Sequence, residues 1–317
     1  MKFWKIWDKA GIYILAVIIF LSFWIIIGPN YVTIFNLSNV LLQVSVKAIG
    51  GTSMVLAITS GGFDLSAGAT LTLTTVVVSM ALKFWNMSIP QAILIALVIG
   101  GACGVMNGLI ITKLKIQTFV ATLATMLIIR GIAFLLYGGR KITINDFMDL
   151  KLLTSTKLLG FSVASWAMLL IVFLGWFLYK YMRFGVFVRA IGSNEAAVRI
   201  SGANVDRTII LVFVFTALTS VISGVIQVSQ TLVGNANSGE SYAMECITAT
   251  ILGGTSLSGG KGNVIGMLFA ALILGFISNG LNMLNVEYYY QYLATGIILI
   301  FALFMSGLKE IMQERNS

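Results

Sequence analysis

Residues 209–228 read IILVFVFTALTSVISGVIQV, a run of 20 positions without a charged side chain. A helix of that length rises about 30 Å, which matches the hydrocarbon thickness of a bilayer. Similar apolar stretches lie on both sides of it, and the expected spans are 11–28, 38–60, 67–84, 91–111, 118–137, 165–182, 209–228, 241–253, 264–285 and 288–306. The sequence therefore predicts an all-α integral membrane protein with about ten transmembrane helices.

The composition of the whole chain favours the same fold class. Of its 317 residues, 58% are hydrophobic and 10% are charged, whereas a soluble domain carries about 25% charged residues. The apolar spans run almost from end to end, so we expect residues 1–317 to form a single transmembrane domain. The net charge of +9 is spread over the loops without a basic stripe beside aromatic residues. The expected partner is therefore the lipid bilayer and not a nucleic acid.

Several kinds of chemistry are disfavoured by the residues that the chain lacks. It contains no histidine, and its two cysteines, Cys103 and Cys246, both fall inside apolar stretches. Residues 259–262, GGKG, have neither the spacing of a phosphate-binding loop nor the Ser or Thr after lysine. We therefore expect no metal site and no nucleotide site, and we do not expect an enzyme.

The distribution of basic residues predicts the orientation of the spans. With the N-terminus inside, 13 of the 20 Lys and Arg residues fall on inner segments and five on outer ones. Four of those five lie in the long segment 138–164, where charge has less influence on orientation. Both termini are therefore expected to be cytoplasmic.

Polar residues inside the expected spans are candidates for a translocation pathway. Lys47 lies near the middle of a span and should face the protein interior or a pathway, whereas Arg130 is interpreted as a side chain that reaches out from a helix boundary. Neutral groups dominate the rest, which suits an uncharged, hydroxyl-rich solute. The candidate pathway residues are Gln43, Lys47, Asp64, Ser66, Asn107, Thr122, Thr125, Asn279, Asn282 and Gln291.

Two segments repeat the pattern Gly-Gly-x-x-Leu-Ser-x-Gly, namely GGFDLSAG at 61–68 and GGTSLSGG at 253–260. Glycine pairs permit the backbone conformations that end a helix. The segments could be interrupted helices near the pathway, as at corresponding places in the two halves of many transporters, or tight cytoplasmic turns.

The segment 183–207 is expected to be a cytoplasmic loop with one short exposed helix. Asn194 suits the N-cap, Glu195 suits the first turn and Gly202 suits the C-terminal stop. So short a helix needs a surface to dock on, which is either a soluble partner or the membrane surface.

Three blocks of sequence resemble the permease subunits of ribose-type ABC transporters. Residues 192–205, GSNEAAVRISGANV, are similar to the cytoplasmic coupling loop of those permeases, and residues 62–68, GFDLSAG, are similar to their Gly-Ile-Asp-Leu-Ser-Val-Gly motif. The third block comprises LGGTSLSGGKG at 252–262, ALILGF at 271–276, NGLN at 279–282 and YYQ at 289–291. The similarity extends in order over residues 35–305. Lys47 and Glu287 depart from the family pattern, and both would change the polarity of the pathway.

The resemblance implies a permease domain that imports ribose or a similar pentose across the bacterial inner membrane. The implied partners are a second copy of the permease or a paralogue, a cytoplasmic ATPase with two nucleotide sites, and an extracytoplasmic sugar-binding protein. ATP and Mg²⁺ would bind to the ATPase, and no cofactor to this chain. The residues implied to couple to the ATPase are Arg189, Gly192, Asn194, Glu195, Ala196, Ala197, Arg199 and Gly202.

Two other functions remain open. An ion-coupled secondary carrier would need a charged group in the membrane, and Lys47, Asp64 and Glu245 are available for that role. An ABC permease for another small polar solute, such as a different sugar or autoinducer-2, would share the same motifs.

Overall fold

A computed structural model describes residues 2–287, 289–291, 293–294, 296–298, 300 and 304, with side chains described from residue 11 onward. The α-helices are α1 (Lys2–Ile27), α2 (Ile34–Thr59), α3 (Ala67–Lys83), α4 (Ile89–Lys113), α5 (Thr118–Tyr137), α6 (Met148–Ser155), α7 (Val163–Tyr181), α8 (Arg183–Ile200), α9 (Val205–Thr231), α10 (Tyr242–Leu252) and α11 (Val264–Met283). A 3-10 helix covers Pro29–Val32. Four two-residue strands complete the elements: β1 (Ile142–Thr143), β2 (Lys157–Leu158), β3 (Phe161–Ser162) and β4 (Val233–Gly234).

The expectation of an all-helical membrane protein is confirmed. Within the described residues, α2, α4, α5, α7, α9 and α11 are long and apolar enough to cross a bilayer, and shorter apolar helices occur at Gly11–Ile27, α3 and α10. Each of the first nine expected spans overlaps one of these helices. Of the tenth, 288–306, the described residues are helical, and the others lie outside the described residues.

Three helices form the centre of the bundle. Most side chains of α2, α3 and α9 are buried, and α9 packs against both α2 and α3. Helix α4 covers α9, α5 covers α3, and α7 and α11 cover α2. The covering helices α4, α5 and α7 leave large apolar side chains exposed, as with Leu135, which is 84% exposed. Such surfaces suit contact with lipid tails or with other membrane helices.

The connections between helices gather at two ends of the bundle. The α8 end holds α8 itself, the end of α2 and the turn 253–263 before α11, where the Gly260 amide donates to the Thr59 carbonyl at 2.8 Å. The opposite end holds α6 and the pairing of β1 with β4. Both Gly-Gly segments follow helices that end at the α8 end.

The most irregular element is the segment 233–241, which descends from the opposite end into the bundle. Its backbone follows a stripe of small polar residues on α3: Gly234 lies against Ser79, Asn235 exchanges hydrogen bonds with Thr75, and the Gly239 amide donates to Thr72 Oγ1 at 3.0 Å. Four α3 residues from Ser79 to Gly68 form this stripe, namely Ser79, Thr75, Thr72 and Gly68. From Ser79 to Gly68 the helix rises about 16 Å, so the segment reaches about half of the hydrocarbon depth.

Helix α10 begins where this segment ends, in the middle of the bundle. The Tyr242 hydroxyl donates to Ser223 Oγ at 2.8 Å and lies against Gly50, where an added Cβ would be 2.0 Å from its oxygen. Its 11 residues rise only about 16 Å and end at Leu252. The eighth expected span is therefore a half-helix, and the segment 233–241 completes the crossing.

Candidate translocation pathway and coupling surface

An ion pair lies at the start of the half-helix. Lys47 Nζ is 3.0 Å from Glu245 Oε2, and both side chains are 22% exposed. Ser241 Oγ donates to the other carboxylate oxygen of Glu245 at 2.9 Å. Lys47 is about 18 Å along α2 from its end at Thr59, which places the pair near the middle of the bundle. At that depth a pair satisfies two charges that would be costly apart.

The pair belongs to a polar face, which we define as Asn39, Gln43, Lys47, Gln230, Ser241 and Glu245. The three α2 members are spaced by four residues and share one side of the helix, with Gln43 exposed. Gln230 of α9 approaches the same helix, because its amide donates to the Leu42 carbonyl at 3.5 Å. Of the ten candidate pathway residues, Gln43 and Lys47 belong to this face.

Five other candidates lie together in a buried group, the Asp64 cluster: Asp64, Ser66, Asn107, Thr122 and Thr125. Asp64 Oδ1 accepts hydrogen bonds from the Ser66 amide at 3.0 Å and the Ser66 hydroxyl at 2.6 Å, and Thr216 of α9 donates to Oδ2. The Asn107 amide donates to Ser66 Oγ at 2.7 Å. Asp64, Ser66 and Asn107 are each 1% exposed.

The two threonines of the cluster close it from α5. Thr122 Oγ1 donates to the Phe63 carbonyl at 3.0 Å, and Thr125 Oγ1 donates to the Thr122 carbonyl at 3.2 Å. The cluster thus joins the turn 60–66 to α4, α5 and α9. The hydrogen bonds of the cluster connect residues of one chain to each other, so the cluster holds these helices together.

The last three candidates lie at the opposite end of α11. Asn279 forms a reciprocal amide pair with Asn36, with both bonds at 3.0 Å, and is 5% exposed. Gln291 donates to Asn282 Oδ1 at 2.7 Å and accepts from Ser278 Oγ at 2.7 Å. These residues join α11 to the start of α2 and to the chain that follows α11.

The predicted helix start at Asn194 is confirmed. Asn194 has φ −162° and ψ 94°, which breaks α8 into two parts, and its Oδ1 accepts from the Ala197 amide at 3.0 Å. This is the geometry of an N-cap. Gly202, at φ +82°, follows the C-terminal end as expected. One correction is needed, because residues 183–193 form a further helix where the sequence suggested a loop.

The first part of α8 is packed tightly against the helix ends. A Cβ on Gly192 would lie 1.8 Å from the Thr59 carbonyl oxygen and 2.6 Å from the Gly260 nitrogen. The Arg189 guanidinium donates to the Tyr179 carbonyl and lies 4.8 Å from the centre of the Tyr179 ring. The Tyr179 hydroxyl accepts from the Gly262 amide at 2.7 Å. The ends of α2 and α7, the turn before α11 and α8 therefore meet at one junction.

The second part of α8 is exposed and held by charges. Arg199 bonds to Glu195 and to Asp206, each at 2.9 Å, and Lys113 bonds to Asp206 at 3.0 Å. The hydrogen bonds that Arg199 donates to Asp206 and Glu195 raise its pKa. Glu195, Ala196, Ala197 and Ile200 are exposed, Ile200 by 88%. A charged rim around small apolar side chains is a surface that a protein partner can cover.

The sequence comparisons agree with this geometry. A family described as a branched-chain amino acid transport system, permease component, matches residues 36–303. The chain belongs to this permease family. The ribose import permease of Escherichia coli K12 is 35% identical over 98% of this chain and 96% of its own length. The L-arabinose permease of the same strain is 32% identical over 98% and 93%. The ribose import permease of Bacillus subtilis is 35% identical over 96% and 93%. No solved structure matches the chain.

The sequence did not identify three members of the permease's polar face, and the predicted position of Arg130 at a helix boundary was wrong. Glu245 was noted only as an available acid, and the signal that could have linked it to Lys47 is their opposite charge inside two expected spans. The interpretation of Arg130 as a residue at a helix boundary is wrong, because α5 continues for seven residues beyond it to Tyr137. Ser241 and Gln230 carry no motif that would have singled them out.

Proposed function

We propose that this permease is the membrane subunit of an ATP-driven importer for a neutral monosaccharide, with ribose or a similar pentose as substrate. The sugar names of the ribose and arabinose permeases, which match nearly the full chain, support this assignment. The observation that carries the proposal is the polar face at the mid-membrane start of α10, because half-helix starts at that depth are where transporters bind solutes.

The polar face would form one wall of the translocation pathway. It offers amides and a hydroxyl, and its two charges neutralise each other. Such a surface can exchange hydrogen bonds with sugar hydroxyls without a net charge to attract or reject ions. The Asp64 cluster would instead hold the helices around this wall, and Asn279, Asn282 and Gln291 would secure its opposite end.

The exposed part of α8 would receive the ATPase. Its partner surface would be residues 194–200, and its junction with α2, α7 and α11 would pass movement to the pathway. We expect Arg189, Gly192 and Gly202 to hold this segment, and Asn194, Glu195, Ala196, Ala197 and Arg199 to present it. The remaining partners are a second permease chain and an extracytoplasmic sugar-binding protein. ATP and Mg²⁺ would bind to the ATPase.

The proposed topology has ten transmembrane helices in one domain, with both termini and the segment 183–207 in the cytoplasm of a bacterium and the chain in its inner membrane. The separation of connections into an α8 end and an opposite end supports the alternation that this topology needs. The excess of basic residues on the α8 side supports the orientation.

The geometry gives less support to an ion-coupled carrier. Such a carrier needs a titrating or ion-binding group free to change its state in the membrane. Lys47 and Glu245 are paired with each other, and Asp64 accepts three hydrogen bonds in a buried cluster.

The proposal is tested by uptake of radiolabelled ribose, arabinose and galactose in a transport-deficient bacterium. The strain would express the permease with its ATPase and binding protein. We expect uptake that persists with a proton uncoupler while ATP is maintained, and that stops when the ATPase is inactivated. Uptake abolished by the uncoupler at constant ATP would exclude the ABC mechanism. Uptake of none of the three sugars would exclude the substrate class.

A further inference from the structure

Two charged side chains at membrane depth have no partner within the described part of the chain. Arg130 of α5 makes no hydrogen bond or ion pair, and its Nε is buried. Glu240, in the segment before α10, is exposed and likewise unpaired. Both line one cavity of about 90 Å³ between α3, α5 and α10, whose other walls include Leu123, Met126 and Met244.

The depth of this cavity narrows what can cover it. Arg130 lies about 18 Å along α5 from Thr118, and Leu123 lies about 8 Å along it. The cavity therefore sits near the middle of a hydrocarbon layer about 30 Å thick, beyond the reach of a lipid phosphate. Lipid tails offer no hydrogen bonds to Arg130 or Glu240, so this face is not stable against lipid alone.

We propose that this face, made of α5, the segment 239–240 and the start of α10, is the contact with a second copy of the chain, in which Arg130 of each copy pairs with Glu240 of the other. A twofold contact joins the same patch on both copies, so that one residue meets another and the reverse contact follows by symmetry. One unpaired cation and one unpaired anion on the same face fulfil that condition. Exposed Leu127 and Ile128 on α5 extend the face with apolar surface, at 61% and 54% exposure.

This inference rests on the proposed function only in that a permease works as a pair, and its test does not need sugar transport. The chain would be expressed alone with two different affinity tags and reconstituted in nanodiscs as R130E, as E240R, as the double variant R130E/E240R, and as R130E and E240R co-expressed. The fraction of dimer would be measured by co-purification and by mass.

Each single variant sets two like charges opposite each other, so we expect dimerisation weakened by at least about tenfold. In the mixed dimer of R130E with E240R both pairs become attractive again, and we expect dimerisation to return to near that of the unmodified chain. The double variant should also dimerise. Arg140→Glu, a charge reversal in the exposed segment after α5, is the matched control and should dimerise normally.

Three results would overturn the proposal. Recovery in the double variant without recovery in the mixture would place the pair within one chain. Normal dimerisation of both single variants, or no dimer of the unmodified chain, would exclude this face as the dimer contact.

A cross-linking experiment applies where charge reversal reduces the amount of folded chain. R130C would be introduced into the chain with one tag and E240C into the chain with the other tag, both in a C103S/C246S background, and the pair would be oxidised. We expect a disulfide that joins the two tags, and its absence would also count against the proposal.

Discussion

At the scale of single residues, the Lys47–Glu245 ion pair determines the net charge of the proposed pathway wall, because its two charges neutralise each other. The sequence placed Lys47 inside a span and predicted that it faces the protein, which the pair confirms. It could not supply the partner, because the two residues are far apart in the chain and only the packing of α10 on α2 brings them together. Pairing of remote residues is a property of the tertiary fold and leaves no local pattern.

Removal of one charge of this pair should cost more than removal of both. We expect K47Q and E245Q each to lower the free energy of unfolding by about 1–3 kcal/mol, since each leaves an uncompensated charge in a half-buried place. The double variant K47Q/E245Q should recover most of that loss and retain uptake. Thermal unfolding in detergent, with uptake alongside, measures both, and Lys141→Gln on the exposed surface is the control. A double variant less stable than either single variant would contradict the prediction.

Gly192 is the second residue at which a substitution is expected to lower the stability. The Thr59 carbonyl and the Gly260 amide leave no room for a Cβ, so Gly192→Ala must push α8 away from its junction. We expect a loss of about 1–3 kcal/mol and a loss of ATPase stimulation. Gly101→Ala in α4 is the matched control, because an added Cβ there would contact only the Leu218 side chain, at 3.9 Å, and it should not lower the stability. Equal melting temperatures for the two variants would contradict the packing.

At the scale of elements, hydropathy predicted the helices well and the irregular segment poorly. The spans at 118–137 and 67–84 agree with α5 and α3 to within one residue at each end, because uninterrupted apolar runs leave helix as the only way to satisfy the backbone in lipid. The segment 233–241 reads as a polar loop, so nothing local predicted that it enters the bundle. Its depth depends on hydroxyls of α3, which hydropathy counts as ordinary members of a helix.

The N-cap at Asn194 is expected to stabilise the exposed second part of α8. Asn194→Ala removes the bond to the Ala197 amide and should destabilise the short helix by about 1 kcal/mol. We expect a normal melting temperature for the whole protein, since this helix is exposed, but reduced sugar-stimulated ATP hydrolysis in the reconstituted importer. Asn194→Ser and Asn194→Asp keep a capping oxygen and should retain activity. Equal activity of the alanine and serine variants would show that the cap is not needed.

At the scale of the whole molecule, the sequence motifs supported a permease before any contact was known, and the family match over residues 36–303 confirms it. The location of the pathway was harder to predict from the sequence than the family. Of ten candidate residues, two lie on the polar face and five in one buried cluster, because a polar residue inside a span is equally suited to a helix contact or to a wet surface. Only the packing of helices separates these cases.

The proposed orientation predicts which surfaces reagents can reach. Ala196→Cys lies on the exposed part of α8, and Leu159→Cys lies near the β2–β3 turn at the opposite end, where Leu159 is 80% exposed. In intact cells a membrane-impermeant maleimide should label Leu159→Cys alone, and in inverted vesicles it should label Ala196→Cys alone. The C103S/C246S background removes the native thiols. The reverse pattern would invert the topology.

The stripe on α3 that supports the segment 233–241 also limits how this gene can vary. Thr75 and Thr72 meet the segment at fixed positions, and Gly239 and Gly68 touch backbone to backbone, so one inserted or deleted residue would move every bond out of register. The exposed turn at residues 158–161 carries no such bonds to α3 and should accept an epitope tag of several residues. Two connections that start at the same end of the molecule therefore differ in the changes of length that they tolerate. The segment 233–241 must keep its number of residues, whereas the turn 158–161 can be lengthened.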